Sequence, residues 1–291
     1  MTSARPAQPF SVVIPAFNEE AGIVPTLREL RELLAGLDYE IVVVDDGSRD
    51  KTAELARAEG VTVIQQPLNR GYGASLKTGI RKAKHDAIVI TDADGTYPAS
   101  AIPELVAGLD VYEMVVGARV GANVAIPLVR RPAKWVLGKL ASYLAGQPIP
   151  DLNSGLRAMR RELVQRYEHL LPSGFSFTTT ITLSALCREH LVRFDPIDYR
   201  AREGDSKIRP RHAFDFLLLI LRTIVYFNPL KIFLPLGALF CAAGTAKFVY
   251  DISRENLSES AIFGWITAFL MWAVGLLSDQ LSRIASRQGP E

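Results

Sequence analysis

At 291 residues, 48% of them hydrophobic and 22% charged, the chain is long enough to bury a full core and too apolar to be disordered. A net charge of +2 excludes the broad basic field that nucleic-acid binding needs, so no nucleic-acid partner is expected and any basic function is local. The only two cysteines, Cys187 and Cys241, lie far apart in sequence, which argues against a disulfide framework or a thiolate metal centre.

Met1 to Pro9 has one arginine and no apolar run, so it does not read as a secretory signal, and the region after it is expected in the cytosol. From Phe10 to Gly117 short β-branched runs alternate with helical patterns. Ser11 to Ile14, Glu40 to Val44, Val61 to Ile64, Ala87 to Thr91 and Met114 to Val116 are too short and too uniformly apolar for exposed hairpins, and predict strands of a buried parallel sheet. Between the first two, Ile23, Leu27, Leu30, Leu33, Leu34 and Leu37 recur at helical spacing. Asp50 is placed to cap a helix over Lys51 to Glu59, and a third helix is expected over Ala74 to Lys84. Alternating strands and helices predict an α/β fold with a Rossmann-like open, mostly parallel sheet that binds ligands at the carboxyl ends of its strands.

The composition changes near Arg211. Phe216 to Phe227 is apolar except for Arg222 and Thr223 and suits a helix lying in a membrane interface. Ile232 to Tyr250 carries one charge, Lys247, and Ala261 to Leu277 carries none, so both approach the length a bilayer core requires. The chain therefore divides into a catalytic domain over residues 1–210, a juxtamembrane amphipathic helix over 211–228 and a two-helix transmembrane anchor over 229–291. The alternative is a buried helical hairpin, which would leave little polar surface to face water. Arg209, Arg211 and Lys231 precede the first span and Arg283 and Arg287 follow the second, whereas the loop Asp251 to Ser260 is net acidic. Positive charge on the inner side puts both termini, and the α/β domain, in the cytoplasm.

Four predicted strand ends carry polar clusters: Pro15-Ala16-Phe17-Asn18-Glu19-Glu20, Asp45-Asp46-Gly47-Ser48, Asp92-Ala93-Asp94-Gly95 and Gly117-Ala118-Arg119. In an α/β sheet these ends share one rim. Asp92 and Asp94, two apart in a turn, can present carboxylates to a hard divalent cation that keeps positions open for substrate phosphates, so Mg2+ or Mn2+ is the expected cofactor. Turns also favour Asp and Gly for backbone reasons; the other rim acids tip the balance to metal. Asn69-Arg70-Gly71-Tyr72-Gly73 precedes a helix but lacks the glycine that either a Walker A loop or a dinucleotide fingerprint would place at Leu76. Those glycines are expected to make a tight turn that lets the helix approach a nucleotide. Arg119, Arg130, Arg131 and Lys134 form a basic group suited to an acceptor phosphate. A second group, Arg200, Arg202, Lys207, Arg209 and Arg211, could grip phosphate or attract anionic lipid headgroups.

These motifs, with Asp151-Leu152-Asn153-Ser154-Gly155-Leu156-Arg157 and Gly204-Asp205-Ser206-Lys207, resemble family 2 glycosyltransferases of the GT-A fold, in the dolichyl- or polyprenyl-phosphate sugar synthase branch. The match spans residues 12 to 207, and the order of the pieces is more specific than any one of them. The resemblance implies an inverting hexosyltransferase of a bacterial or archaeal-type cell membrane. Its donor would be a UDP- or GDP-linked sugar and its acceptor a polyprenyl phosphate.

It further implies that the nucleotide sugar is held by Pro15, Ala16, Phe17, Glu19, Asp45, Asp46, Asp92, Ala93 and Asp94, with Arg202 and Lys207. Asp94, Arg119, Arg131 and Arg202 would carry catalysis. A homo-oligomer assembled through the membrane helices is compatible with the resemblance. The chain departs from the pattern at Gly95-Thr96, where many relatives have Leu-Gln, and at Arg202, which stands two residues before Gly204 where three is common; Arg200 stands four before it. A processive polysaccharide synthase would carry a Gln-x-x-Arg-Trp signature, which is missing. A nucleotidyltransferase would want a Gly- and Arg-rich loop at Pro15 to Glu20, and a non-enzymatic membrane scaffold would leave the rim acids unexplained.

Overall fold

The computed structural model describes residues 8–119, 138–139, 141–143, 145–174, 176–200, 218, 221–222, 225–254 and 258–287. They fall into two compact units, residues 1–219 and 220–291.

The first unit is built on a seven-stranded sheet in the order β3-β2-β1-β4-β6-β5-β7. Its strands are β1 Phe10–Ala16, β2 Tyr39–Asp45, β3 Thr62–Gln65, β4 Ala87–Ile90, β5 Met114–Arg119, β6 Arg157–Arg160 and β7 Val192–Ile197. β1 pairs in parallel with β2 and β4, β2 with β3, and β5 with β7. β1 and β4 are buried along their whole length, which is why their sequences run apolar without alternation. β6 alone runs the other way, between β4 and β5, with Arg157 opposite both Ile90 and Val116. The sheet is thus mostly parallel, and the start of β6 falls on the rim where β4 and β5 end.

Helix α1, Ile23–Leu33, buries Ile23, Leu27 and Leu30 at the i, i+4, i+7 spacing of one helical face, in the same core as Val12, Ile14, Ile41 and Val43. α2 is Thr52–Ala58, and α3, Tyr72–Lys82, covers the opposite face. A Cβ on Gly79 would lie within 2.4 Å of Val13 Cγ1 and 3.0 Å of Val44 Cγ2, so the missing side chain lets α3 settle onto β1 and β2. α4 Ile102–Ala107, α5 Arg161–Tyr167 and α6 Phe177–Cys187 also belong to the unit.

The second unit is a helical hairpin of α7, Leu230–Ser253, and α8, Glu259–Arg287. The backbones meet closely: a Cβ on Gly264 would come within 2.8 Å of Gly244 Cα. Phe248 and Trp265 pack with ring centroids 5.1 Å apart. Asp251 accepts hydrogen bonds from Ser258 N and Oγ and pairs with Lys247, tying the end of α7 to the residue before α8. Both helices are long and apolar enough to cross a membrane, and only 11% and 17% of their most apolar windows are buried. Leu239, Phe263, Phe269, Leu277 and Leu281 point outward. That exposure disagrees with a core hairpin of a soluble domain and agrees with lipid.

Candidate active site

The parallel strands bring the polar clusters to one edge, as the sequence predicts. The loops after β1 and β2 are laced together: Asn18, in the left-handed region at φ 54°, donates its N–H to Ser48 Oγ (3.0 Å) and accepts from Arg49 N (2.9 Å), and Glu19 N donates to Thr52 Oγ1 (2.9 Å). Beside them lies an open pocket of about 650 Å³ lined by Phe17, Gly47, Ser48, Gln66, Leu68 and Asn69. Pro15 and Ala16 close β1 next to it. Asp45 is fully buried, with one carboxylate oxygen accepting Ser48 N (3.3 Å) and the other without a hydrogen-bond partner.

Asp46 is committed to the fold: its two oxygens accept Arg70 N (2.9 Å) and Gly71 N (2.8 Å), in the turn that leads into α3. The expected use of the neighbouring glycines is corrected here. A Cβ on Gly73 would lie 2.2 Å from Pro172 O and one on Gly71 2.5 Å from Ser173 O, so the glycines admit the backbone of residues 172–174, not a nucleotide. Gly71 also needs its φ of 100°, which side chains disfavour.

The D-x-D pair follows β4. Asp92 is half-buried and accepts a hydrogen bond from Tyr72 OH (3.0 Å), Ala93 is buried, and Asp94 accepts Thr96 N (3.2 Å) and Thr96 Oγ1 (2.6 Å). Thr96 thus braces Asp94. Tyr97 OH accepts Gly155 N (2.6 Å). Burial first, and the Asp92 charge second, push both the Tyr72 and Tyr97 hydroxyls well above their ordinary range, so both stay neutral. Among the described residues no three His, Cys, Asp or Glu side chains are grouped to enclose a cation. Two carboxylates fit a hard divalent ion that completes its sphere with diphosphate oxygens and water.

On the other side of the rim, Arg119 at the end of β5 is bound to Asp151 through its backbone N–H (3.1 Å), Nε (2.6 Å) and Nη2 (2.9 Å), and its guanidinium lies over the Tyr199 ring. Burial opposes the Asp151 charge, yet these bonds hold its carboxyl below the usual range. Tyr199 meets Tyr97 edge-on with centroids 5.1 Å apart. Arg200 makes a two-pronged pair with Glu29 at 2.8 and 2.9 Å. Arg130, Arg131, Lys134, Arg202 and Lys207 lie outside the described residues.

Sequence reasoning gave no role to Tyr72, Tyr97, Asp151 or the threonines of α6, where Thr179 Oγ1 donates to Asn153 Oδ1 (2.6 Å). Asp151 had a signal, an isolated acid in a motif that opens β6. The tyrosines had none, since their hydroxyls reach the rim only through the fold.

Comparison with known proteins gives the same architecture in two parts. Residues 11–168 match the family described as Glycosyl transferase family 2, and residues 228–284 match the GtrB C-terminal hairpin. The chain is 34% identical to a dolichyl-phosphate hexose transferase of Haloferax volcanii over 69% of its own length and 86% of the relative's. It is 32% identical to an undecaprenyl-phosphate 4-deoxy-4-formamido-L-arabinose transferase of Klebsiella pneumoniae over 95% and 77%. Among solved structures it is similar to a glucosyl-3-phosphoglycerate synthase from Mycobacterium tuberculosis, crystallised with Mn2+, UDP and phosphoglyceric acid. There the TM-score is 0.61 at 24% identity, covering 75% of this chain and 79% of that one, a likeness of fold.

Proposed function

We infer the function from the premise that this chain belongs to glycosyl transferase family 2: it is a glycosyltransferase that moves a hexose from a nucleotide-diphosphate sugar to a polyprenyl phosphate. The observation that carries the choice of a lipid acceptor is the hairpin, whose outward faces are apolar over two helices long enough to span a bilayer. An isoprenoid tail cannot leave the membrane, so the enzyme must be held where the phosphate headgroup emerges.

The nucleotide lies across the carboxyl ends of β1 to β3, with its base in the pocket beside Phe17 and Gly47. Pro15, Ala16, Glu19, Asp45 and Asp46 frame that end of the site. Asp92 and Asp94 would hold a divalent ion, Mg2+ or Mn2+, which would supply neutralisation of the departing nucleoside diphosphate. Ala93 between them forms the floor. The acceptor phosphate is already an anion at neutral pH and attacks the anomeric carbon without a strong general base, inverting its configuration. What the chain contributes is placement: Arg119, Arg130, Arg131 and Lys134 on the acceptor side, Arg202 and Lys207 on the donor phosphates. Asp151 keeps the Arg119 guanidinium oriented, as an Arg–carboxylate fork does.

Both ends of the hairpin face the cytoplasm, where nucleotide sugars are made, because Lys231 lies in the first turn of α7 and Arg283 and Arg287 lie at the end of α8. The decisive test is a donor panel of UDP- and GDP-hexoses, offered to detergent-purified protein with polyprenyl phosphate and Mg2+. A sugar-loaded lipid and one free nucleoside diphosphate per turnover are expected. Release of nucleotide only with a soluble phosphate acceptor, and none with the lipid, would overturn the acceptor assignment.

A further inference from the structure

Beneath the rim sits a charge that none of these roles uses. Arg157, the first residue of β6, is fully buried. Its Nε donates to Ser154 O (3.2 Å), as does Nη2, and its Nη1 donates to Thr178 O (3.0 Å) and Thr182 Oγ1 (2.7 Å). These acceptors are all neutral. Burial lowers the guanidinium pKa to about 10, so it remains a cation at neutral pH. Placing an ion there carries a desolvation cost, and a leucine or methionine would pack the same space without it.

What the cation holds is the loop 151–155. With its carbonyl fixed by Arg157, Ser154 donates its hydroxyl to Gly117 O (2.5 Å), and Gly155 N donates to Tyr97 OH (2.6 Å). Gly155 then lies flat against the metal-side carboxylate: a Cβ there would come within 2.9 Å of Asp92 Oδ2 and 3.0 Å of Oδ1. The other end of the loop supplies Asp151 to Arg119. One short segment therefore separates the donor-side acid from the acceptor-side arginine, and its backbone is set from below.

We propose that Arg157 is a positioning residue for sugar transfer, its buried fork fixing the 151–155 loop and thereby seating the Asp92 carboxylate where it meets the donor diphosphate. This rests on the glycosyltransferase reading above. The fork matters as well as the charge, since a lysine in its place keeps the cation but cannot bridge Ser154 and α6 with a rigid plane.

The test compares R157K and Gly155→Ala with the parent, full length in detergent, by titrating UDP and GDP with and without Mn2+. The base pocket lies toward β1 to β3, so metal-free nucleotide affinity should stay within about twofold of the parent, while the gain in affinity on adding Mn2+ falls by about tenfold or more. Transfer should show the loss in kcat more than in the donor KM. Gly155→Ala, which crowds Asp92 without touching Arg157, should give the same split. A folded R157K with the parent's Mn2+ gain and turnover overturns the proposal, as does a parent that binds nucleotide with no Mn2+ gain. If R157K does not fold, Thr182→Val carries the test, because it removes one acceptor of Nη1. It should reduce the Mn2+ gain in the same direction, and an unchanged gain overturns the proposal. A parent that binds neither UDP nor GDP defeats the glycosyltransferase reading itself, an outcome distinct from those.

Discussion

Arg119 and Asp151 form a two-pronged ion pair, Nε to Oδ2 at 2.6 Å and Nη2 to Oδ1 at 2.9 Å, with the backbone N–H of Arg119 adding a third bond to the same carboxylate. The pair is mostly buried, so truncating one partner strands the other. Asp151→Ala should cost about 3–5 kcal/mol of stability, seen as a lower melting temperature of the purified protein. The folded-state carboxyl is held below its ordinary range, so the pair's contribution is complete above the unfolded-state value and is lost as pH falls through the folded one. Between pH 7 and 5 the parent's melting temperature should therefore owe no change to this group, and the acid loss it does show below about pH 4 should be smaller in the variant.

Asp94 carries the sharpest prediction for chemistry. Asp94→Asn keeps the side chain's shape and its hydrogen bond from Thr96 but removes a charge from the diphosphate side. Losing several kcal/mol of transition-state stabilisation corresponds to roughly a thousandfold fall in kcat/KM, with the melting temperature unchanged. Near-normal turnover of the folded variant with Mg2+ present would remove Asp94 from the metal site.

For Arg131, outside the described residues, the sequence alone supports a test. Arg131→Ala should reduce transfer to lipid by about one to two orders of magnitude while nucleotide affinity stays near the parent's. Equal losses in a nucleotide titration and in the transfer assay would move Arg131 to the donor side.

Asp46 and Gly73 test what holds the nucleotide end together. Asp46→Ala leaves Arg70 N and Gly71 N without their carboxylate, and should destabilise the domain by about 1.5–3 kcal/mol. Gly73→Ala drives a methyl into Pro172 O and should cost about 1–3 kcal/mol. Chemical denaturation of both reads these losses. A Gly73→Ala protein as stable as the parent but unable to bind nucleotide would restore the reading in which those glycines face the ligand.

Topology can be read from two cysteines placed singly in a background lacking Cys187 and Cys241. One at the exposed Ser253, at the end of α7, should react with an impermeant thiol reagent outside intact cells, and one at the exposed Ala35 should react only after lysis. Reversed labelling would put the rim on the side where nucleotide sugars are scarce.

β1, β2 and β4 were legible because each is a largely buried run rich in β-branched residues, and all three lie within a residue or two of their expected positions. β6 was not, because Arg157-Ala158-Met159-Arg160 has a charge at each end, and a buried arginine looks in sequence like a solvated one. β7 was missed for a similar reason, with Arg193, Asp195 and Pro196 inside it. The D-x-D pair and the Asp45–Asp46 pair were recognisable as rim acids from the strands before them. That Asp46 ties down the turn before α3 was not recognisable, since its partners, Arg70 and Gly71, are brought to it only by the β2 to α3 crossover. The hairpin was clear from length and hydropathy alone, whereas its internal fit, with Gly264 against Gly244, depends on the register of the two helices.

The antiparallel insertion of β6 also orders events in time. β4 cannot find its second neighbour until Arg157–Arg160 has been synthesised, and β5 gains its outer neighbour only with Val192–Ile197, so the rim is assembled late but wholly before α7 begins at Leu230. At ribosomal speeds the roughly thirty residues between take about two to six seconds, longer than a domain of this size commonly needs to close its sheet. The anchoring hairpin then emerges from a ribosome that already carries a folded domain. A domain closed by then stays on the side where it was made during insertion, in keeping with the cytoplasmic placement proposed for the rim.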